Sequence, residues 1–414
     1  MKTLTRTPRA TLLAALVAGL GIASPALAQK AEVIHWWTSG GESAAVKQLA
    51  EAYTKAGGQW VDNAIAGGDN ARAAALNRIA GGNPPTASQF NTSKQYHELI
   101  DNDLLSNVDE VAAKEGWDQW MPTPIKNVIK VKGHYYAVPV NIHSAAWFWY
   151  SKAVLAKAGV TEPKNEAEFW TALDKIKASG QIAFAQSGTL SYERATFTAV
   201  LLHMGGRDLY MKFYGDKDAS AVKSAEFRTV LEKFKKLRTY SDAGFAGRNW
   251  NDTTALLVTD KAGFQTVGDW AKGEFIAAGK TAGKEFGCFQ GWGPKAPYMV
   301  SGDVFVLPKT SNKETIAAQQ LMAKVITSPA TQVAFNVKKG SIPIRSDVDM
   351  GGLDICAQAG VTALKDPARQ TPDPSMLMAP DIFGKVADVI TKVWNTDLKP
   401  EDAQTQLLAA IGAK

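Results

Sequence analysis

Four short stretches of this sequence group residue types that could recognise a ligand. They are Trp36-Trp37-Thr38-Ser39-Gly40-Gly41-Glu42, Gly268-Asp269-Trp270, Gly302-Asp303 and Lys339-Gly340-Ser341-Ile342-Pro343-Ile344-Arg345. Trp250-Asn251-Asp252 lies just upstream of the second. A sugar ring has an apolar C–H face and an equator of hydroxyls. It needs a flat aromatic surface with hydrogen-bonding groups in the plane of the ring. Tandem tryptophans followed by Ser39 and Glu42 supply both, and Asp269 beside Trp270 repeats the combination. Strand alternation would send Trp36 and Trp37 to opposite faces, so one of them facing a core is the competing expectation. Lys339 can reach a hydroxyl from a backbone that glycine and proline hold tight.

Other chemistries leave no such trace. There is no Walker-type phosphate loop, no GxGxxG, no HExxH, no CxxC and no GxSxG elbow. The five histidines, at 35, 97, 134, 143 and 203, lack metal-ligand spacing. Asp347-Val348-Asp349-Met350-Gly351-Gly352 approaches a calcium loop but lacks its acidic fifth ligand and the glutamate at position twelve. The residues themselves therefore point to a binder with no catalytic group, metal or cofactor. A secreted glycan-active enzyme or lectin is the rival, because its carboxylates need not be close in the chain.

The elements that would position these residues read as an α/β fold. Strand-like runs at Glu32–Trp37, Gln59–Ile65 and Ala87–Phe90 alternate with helical periodicity after Gly40-Gly41, over Ala71–Ile79 and over Lys94–Ile100. This alternation implies a largely parallel sheet with right-handed crossovers. Tyr135–Val140 and Ala145–Tyr150 are extended runs flanking Asn141-Ile142-His143, a crossing between lobes. Ser151 caps a helix through Ala158. Glu166–Ala178, Tyr192–Met204 and Ala225–Tyr240 read as helices, Val300–Leu307 as a strand, and Ile382–Ile411 as a helical tail. The first tryptophan cluster sits where a strand ends, which is where open α/β sheets bind ligands.

The chain has 414 residues, with 46 Lys+Arg against 40 Asp+Glu. That length suits two or three domains. Lys2, Arg6 and Arg9 precede the apolar run TLLAALVAGLGIA, which ends at Pro25-Ala26-Leu27-Ala28. This is a bacterial secretory leader, 1–28, with the cut expected before Gln29. Without it the balance is 43 to 40, which gives no footprint for nucleic acid. Export permits disulfides, and the two cysteines, Cys288 and Cys356, are expected to pair.

Taken together, WWTSGGESAAVKQLAEAY, PVNIHSAAWFWYSKAVLAKAG, WNDTTALLVTDKAGFQTVGDWAKGEF and KGSIPIR resemble, in the same order, the periplasmic solute-binding proteins of ABC importers. The resemblance is narrower to the glucose/mannose-type members. It implies two α/β lobes, each a mostly parallel sheet flanked by helices, with hinge strands and a helical C-terminal tail. It places residues 29–140 and 302–347 in the N-terminal lobe and 141–301 and 348–414 in the C-terminal lobe. It implies a monomeric periplasmic receptor that closes on a sugar, glucose-like by this likeness, and delivers it to a membrane permease. The site it implies comprises Trp36, Trp37, Ser39 and Glu42 from the first lobe, Asp269 and Trp270 from the second, and Asn141, His143, Asp303 and Lys339. Two departures bear on which sugar is read. Asn91 stands where the family carries a lysine, with Lys94 a turn later. Met376-Leu377-Met378-Ala379 carries no histidine where glucose-binding members have one.

Overall fold

The structure, a computed structural model, describes residues 29–412 together with Thr3. The expected leader and its cut therefore fall outside the described residues, Thr3 apart. The strands form two principal sheets. The first has five strands, ordered Gly58–Ala64, Gln29–His35, Ala87–Asn91, Asp303–Val306 and Ala137–Pro139. The second has four, ordered Phe286–Phe289, Phe148–Ser151, Ala262–Thr266 and Ile182–Ala185. In each sheet one strand runs against the others. It is Asp303–Val306 in the first, antiparallel to both neighbours, and Phe148–Ser151 in the second, antiparallel to both of its own. Each reversed strand is the one that arrives from the opposite lobe, so the reversal marks a chain crossing.

Local chemistry explains the elements around the first cluster. Val33 and Ile34 are buried on opposite faces of Gln29–His35, as in a strand covered on both sides. The strand stops at His35, before the tryptophans. Ser39 then caps the Gly40–Lys55 helix, accepting from the Glu42 backbone N–H. Its buried face, Ala45, Val46, Leu49 and Tyr53, follows the helical period. An acid in the first turn and Lys55 in the last suit the helix dipole.

The run read as one strand over Val300–Leu307 is instead two, Tyr298–Val300 and Asp303–Val306. The break has a steric cause: a Cβ on Gly302 would lie 2.3 Å from the Asn141 carbonyl oxygen. Two crossing segments touch there. His143 and Ser301 exchange backbone hydrogen bonds of 2.8 and 2.9 Å, and Asn141–Ile142 pairs antiparallel with Ile342–Pro343. The tail forms helices Pro380–Asn395 and Pro400–Ala410, packed on helices Leu190–Val200 and Ala225–Arg238 of the second lobe. Cys288 and Cys356 are bridged, tying a strand of the second sheet to helix Ile355–Leu364. Among the described residues no helix is long and apolar enough to cross a membrane.

Candidate functional site

The expected residues separate into a knot at the crossing strands and a face between the lobes. His143 forms the centre of the knot. Its Nδ1 lies 2.5 Å from Asp269 and its Nε2 2.5 Å from Asp303. Asp303 also accepts from Asn141 at 3.0 Å, Gln89 at 3.1 Å and Asn91 at 3.2 Å. Asp269 accepts the Ser144 backbone N–H at 3.1 Å. All but Asn91 are buried. Burial alone would strip the proton from His143, but Asp303 and then Asp269 outweigh it and hold its pKa up at about 9. Burial would likewise raise Asp303, yet the His143 charge, then its hydrogen bond, Lys339 and Asn141 bring it down to about 2. The knot is thus an imidazolium between two carboxylates whose lone pairs are largely occupied. Asn141, His143, Asp269 and Asp303, expected around the sugar, here bond to one another.

The face between the lobes is built from half-buried aromatic rings. Trp36 follows the end of its strand with its backbone N–H on the Gln89 side chain, and Arg72 lies 5.3 Å over its ring. Trp37 takes the other side of the strand and is 1% exposed, packed against Phe305 and Phe335 at 5.7 and 5.1 Å. The expectation that Trp37 stands in the cleft is corrected: just past the strand end its ring turns into the core, against Phe305 and Phe335. From the second lobe, Trp270 meets His143 edge-on at 5.3 Å, and Tyr192 and Trp250 at 6.5 Å.

Between these rings Lys339 reaches Glu42 at 3.1 Å, both almost wholly buried, and lies 5.7 Å over the Trp270 ring. Ser39, whose hydroxyl oxygen accepts the Glu42 backbone N–H, also donates to the other Glu42 carboxylate oxygen at 3.2 Å. Removing one member of so buried a pair costs about 3–5 kcal/mol, because the other charge is left uncompensated. Lys94 is exposed and donates to the Leu377 carbonyl at 3.0 Å, across the lobes. Asn91 is held by Arg72 at 3.3 Å and by Asp303. The cation beside Trp36 is therefore Arg72, which sequence reasoning missed.

Three other residues of this face were also missed. Glu274 accepts the Gly41 backbone N–H at 2.9 Å from the opposite lobe. It lies four residues after Trp270, one helical turn on, and that spacing was the available signal. Gln89 is two residues before the expected Asn91 in the same strand and shares its face, and that alternation was the available signal. Tyr192 opens helix Leu190–Val200, and nothing in its neighbours signals the role. A groove of about 330 Å³ lined by Leu105, Tyr136, Leu307 and Lys309 lies on the first lobe and contains none of the expected residues.

The arrangement can stack and hydrogen-bond a small polar ring, with contributions from both lobes. Comparison with known proteins agrees with the architecture. A probable sugar-binding periplasmic protein of Brucella suis biovar 1 (strain 1330) is 38% identical over 411 residues, covering 97% of each chain. The fold matches a chitin oligosaccharide binding protein with a TM-score of 0.78 at 16% identity, over 92% of this chain and 98% of that one. It also matches a bacterial solute receptor described as exclusive for β-D-galactopyranose, with a TM-score of 0.76 at 18% identity, over 92% and 97%. Residues 48–359 match the model of the bacterial extracellular solute-binding proteins, and the chain belongs to that family.

Proposed function

We propose that this chain is a periplasmic sugar receptor of an ABC importer, which binds a glucose-like monosaccharide between its lobes and hands it to a membrane permease. The observation that carries the reading is the pair of half-buried rings, Trp36 and Trp270, contributed by opposite lobes on either side of the Glu42–Lys339 pair. Stacking would come from these rings. In-plane bonds would come from Glu42, Lys339 and Ser39, with Asn91 and Lys94 at the first lobe's margin. Asn141, His143, Asp269 and Asp303 would act from behind, holding the crossing strands. The protein would work as a monomer without cofactor, exported by a leader cut before Gln29. The lobes we assign are 29–140 with 302–347, and 141–301 with 348–414, a division that sheet membership supports.

The same geometry argues against a hydrolytic carboxylate pair. Asp269 and Asp303 are buried and already hydrogen-bonded, so neither is free to exchange a proton with a substrate. The test is thermal-shift screening against monosaccharides and short oligosaccharides, followed by analysis of the recovered sugar. A ligand at 100 times its dissociation constant adds about 2.7 kcal/mol of stability. A shift with glucose or a close epimer recovered unchanged supports the receptor. A sugar recovered cleaved would make it an enzyme, and no shift with any sugar would overturn the reading.

A further inference from the structure

Arg72 places a guanidinium at the carboxyl ends of two strands of the first sheet. Strands Gln29–His35 and Ala87–Asn91 run parallel. Trp36, just past the first, and Asn91, last in the second, therefore stand at one edge. That edge is where open α/β sheets bind ligands. Arg72 reaches both residues. It lies on helix Gly68–Ala80, where long side chains lean back towards the N-terminus. Its Nη1 donates to Asn91 Oδ1 at 3.3 Å, and its guanidinium lies 5.3 Å from the centre of the Trp36 ring. Gly68 makes this approach possible: a Cβ there would lie 3.1 Å from Nη1 and 3.6 Å from two atoms of the Trp36 ring.

Two features leave this guanidinium capacity for a ligand. Among the described residues its side-chain bonds go to Asn91 and Asp69, which engage two of its five N–H groups. Asp69 is 81% exposed, so water competes for that ion pair. The second feature is its stand-off from the indole. Arg194 and Arg238 stack closely on Phe383 and Phe245, at 4.0 and 4.1 Å. Arg72, at 5.3 Å, is offset from the centre of the Trp36 ring and leaves part of that face uncovered. A sugar laid there brings its rim hydroxyls to a side chain that is itself 15% exposed. The planar fork can then donate to neighbouring oxygens. Lys94, on the same lobe, is instead tied to the Leu377 carbonyl of the opposite lobe. We propose that Arg72 is a specificity-determining residue of the first lobe, donating N–H bonds to hydroxyl oxygens on the rim of a sugar stacked on Trp36. This rests on the receptor reading above.

The experiment is calorimetric titration of wild type, Arg72→Gln and Arg72→Met with D-glucose, D-mannose, D-allose, D-galactose and D-xylose, with a melting curve for each protein. Mannose, allose and galactose each differ from glucose in the configuration of one hydroxyl, and xylose lacks the hydroxymethyl group. Methionine keeps an aliphatic stem beside Trp36 but donates nothing. Both variants should weaken the best-bound sugar at least about tenfold, and the epimer whose changed hydroxyl misses Arg72 by less than about threefold, so the wild-type preference narrows. If Arg72 only props Trp36, every sugar weakens by the same factor. Uniform loss, or no loss, overturns the proposal while leaving the receptor intact. Should Arg72→Gln melt early, Arg72→Met decides by the same ratio of affinities. Repeating Arg72→Gln in an Asn91→Ala background separates direct contact from action through Asn91. A preference that no longer narrows there assigns the reading to Asn91 and overturns the proposal. A wild type that binds none of the five sugars overturns the monosaccharide reading, and the proposal with it.

Discussion

Trp270 has polar and aromatic neighbours on several sides. His143 and Trp250 meet it edge-on, Tyr192 packs at its margin, and Lys339 lies over its face. Because it is only half-buried, Trp270→Ala should cost less stability than the roughly 3–5 kcal/mol of a fully buried aromatic. Loss of its stacking surface, worth about 1.5–3 kcal/mol, should lower sugar affinity at least about tenfold. Calorimetry and a melting curve on the same sample check this. A variant that melts early yet binds sugar normally at low temperature would return Trp270 to the core. The type of residue at this site was legible in the sequence, because aromatic–acid neighbours at strand ends are unusual. What each acid does was not. Asp269 and Asp303 stand far apart in the chain from each other and from His143, and only the fold shows that His143 lies between them.

Among the elements, the strand–helix alternation of the first half was readable because each strand is a short apolar run and each helix keeps its period. The breaks were less readable. Gly302 interrupts Val300–Leu307 through contact with Asn141, some 160 residues away in sequence, which no local pattern encodes. Trp36 and Trp37 lie beyond their strand, yet they divide as the sequence pattern suggested, Trp36 half-buried and Trp37 in the core. The Cys288–Cys356 bridge closes a separation of 68 residues. In the chain-entropy model such a loop contributes about 4 kcal/mol. Changing both cysteines to serine should lower the free energy of unfolding in urea by about that amount. Alkylation of denatured, unreduced protein should find no free thiol, and two labelled thiols in exported protein would show that the bridge does not form.

For the whole molecule, the knot around His143 couples folding to pH. His143 is raised from 6.5 to about 9 in the folded state, so its contribution is fully present below 6.5 and is lost as pH rises through 9. Asp303 is lowered from 3.8 to about 2, so its contribution is present above 3.8 and is lost as pH falls through 2. These two groups therefore predict a stability plateau from about pH 4 to 6.5, with a decline on the alkaline side up to pH 9. Urea denaturation across pH 3–10 measures it. In His143→Asn the alkaline decline should flatten, at a cost of about 3–5 kcal/mol for leaving two buried carboxylates without their cation. An unchanged alkaline slope would mean that His143 is not the titrating group.

Closure of the lobes belongs to the same scale, and Glu274 tests it without touching the proposed sugar contacts. Its carboxylate receives the Gly41 N–H, at the positive end of the Gly40–Lys55 helix, from the opposite lobe. The backbones meet there so closely that a Cβ on Gly41 would lie 2.5 Å from the Gly273 carbonyl carbon. Lys94 and the Leu377 carbonyl form a second link across the lobes. A hydrogen bond to a charged acceptor contributes about 1.5–3 kcal/mol. Glu274→Ala should therefore shift the balance between apposed and separated lobes about ten- to a hundredfold towards separation. Small-angle scattering should show a larger radius of gyration for the sugar-free variant than for wild type. Saturating sugar should bring both to the same compact value, with weaker apparent affinity in the variant, because part of the binding energy is spent on closing it. Identical scattering and identical affinity in the two proteins would show that the Glu274–Gly41 contact does not hold the lobes together.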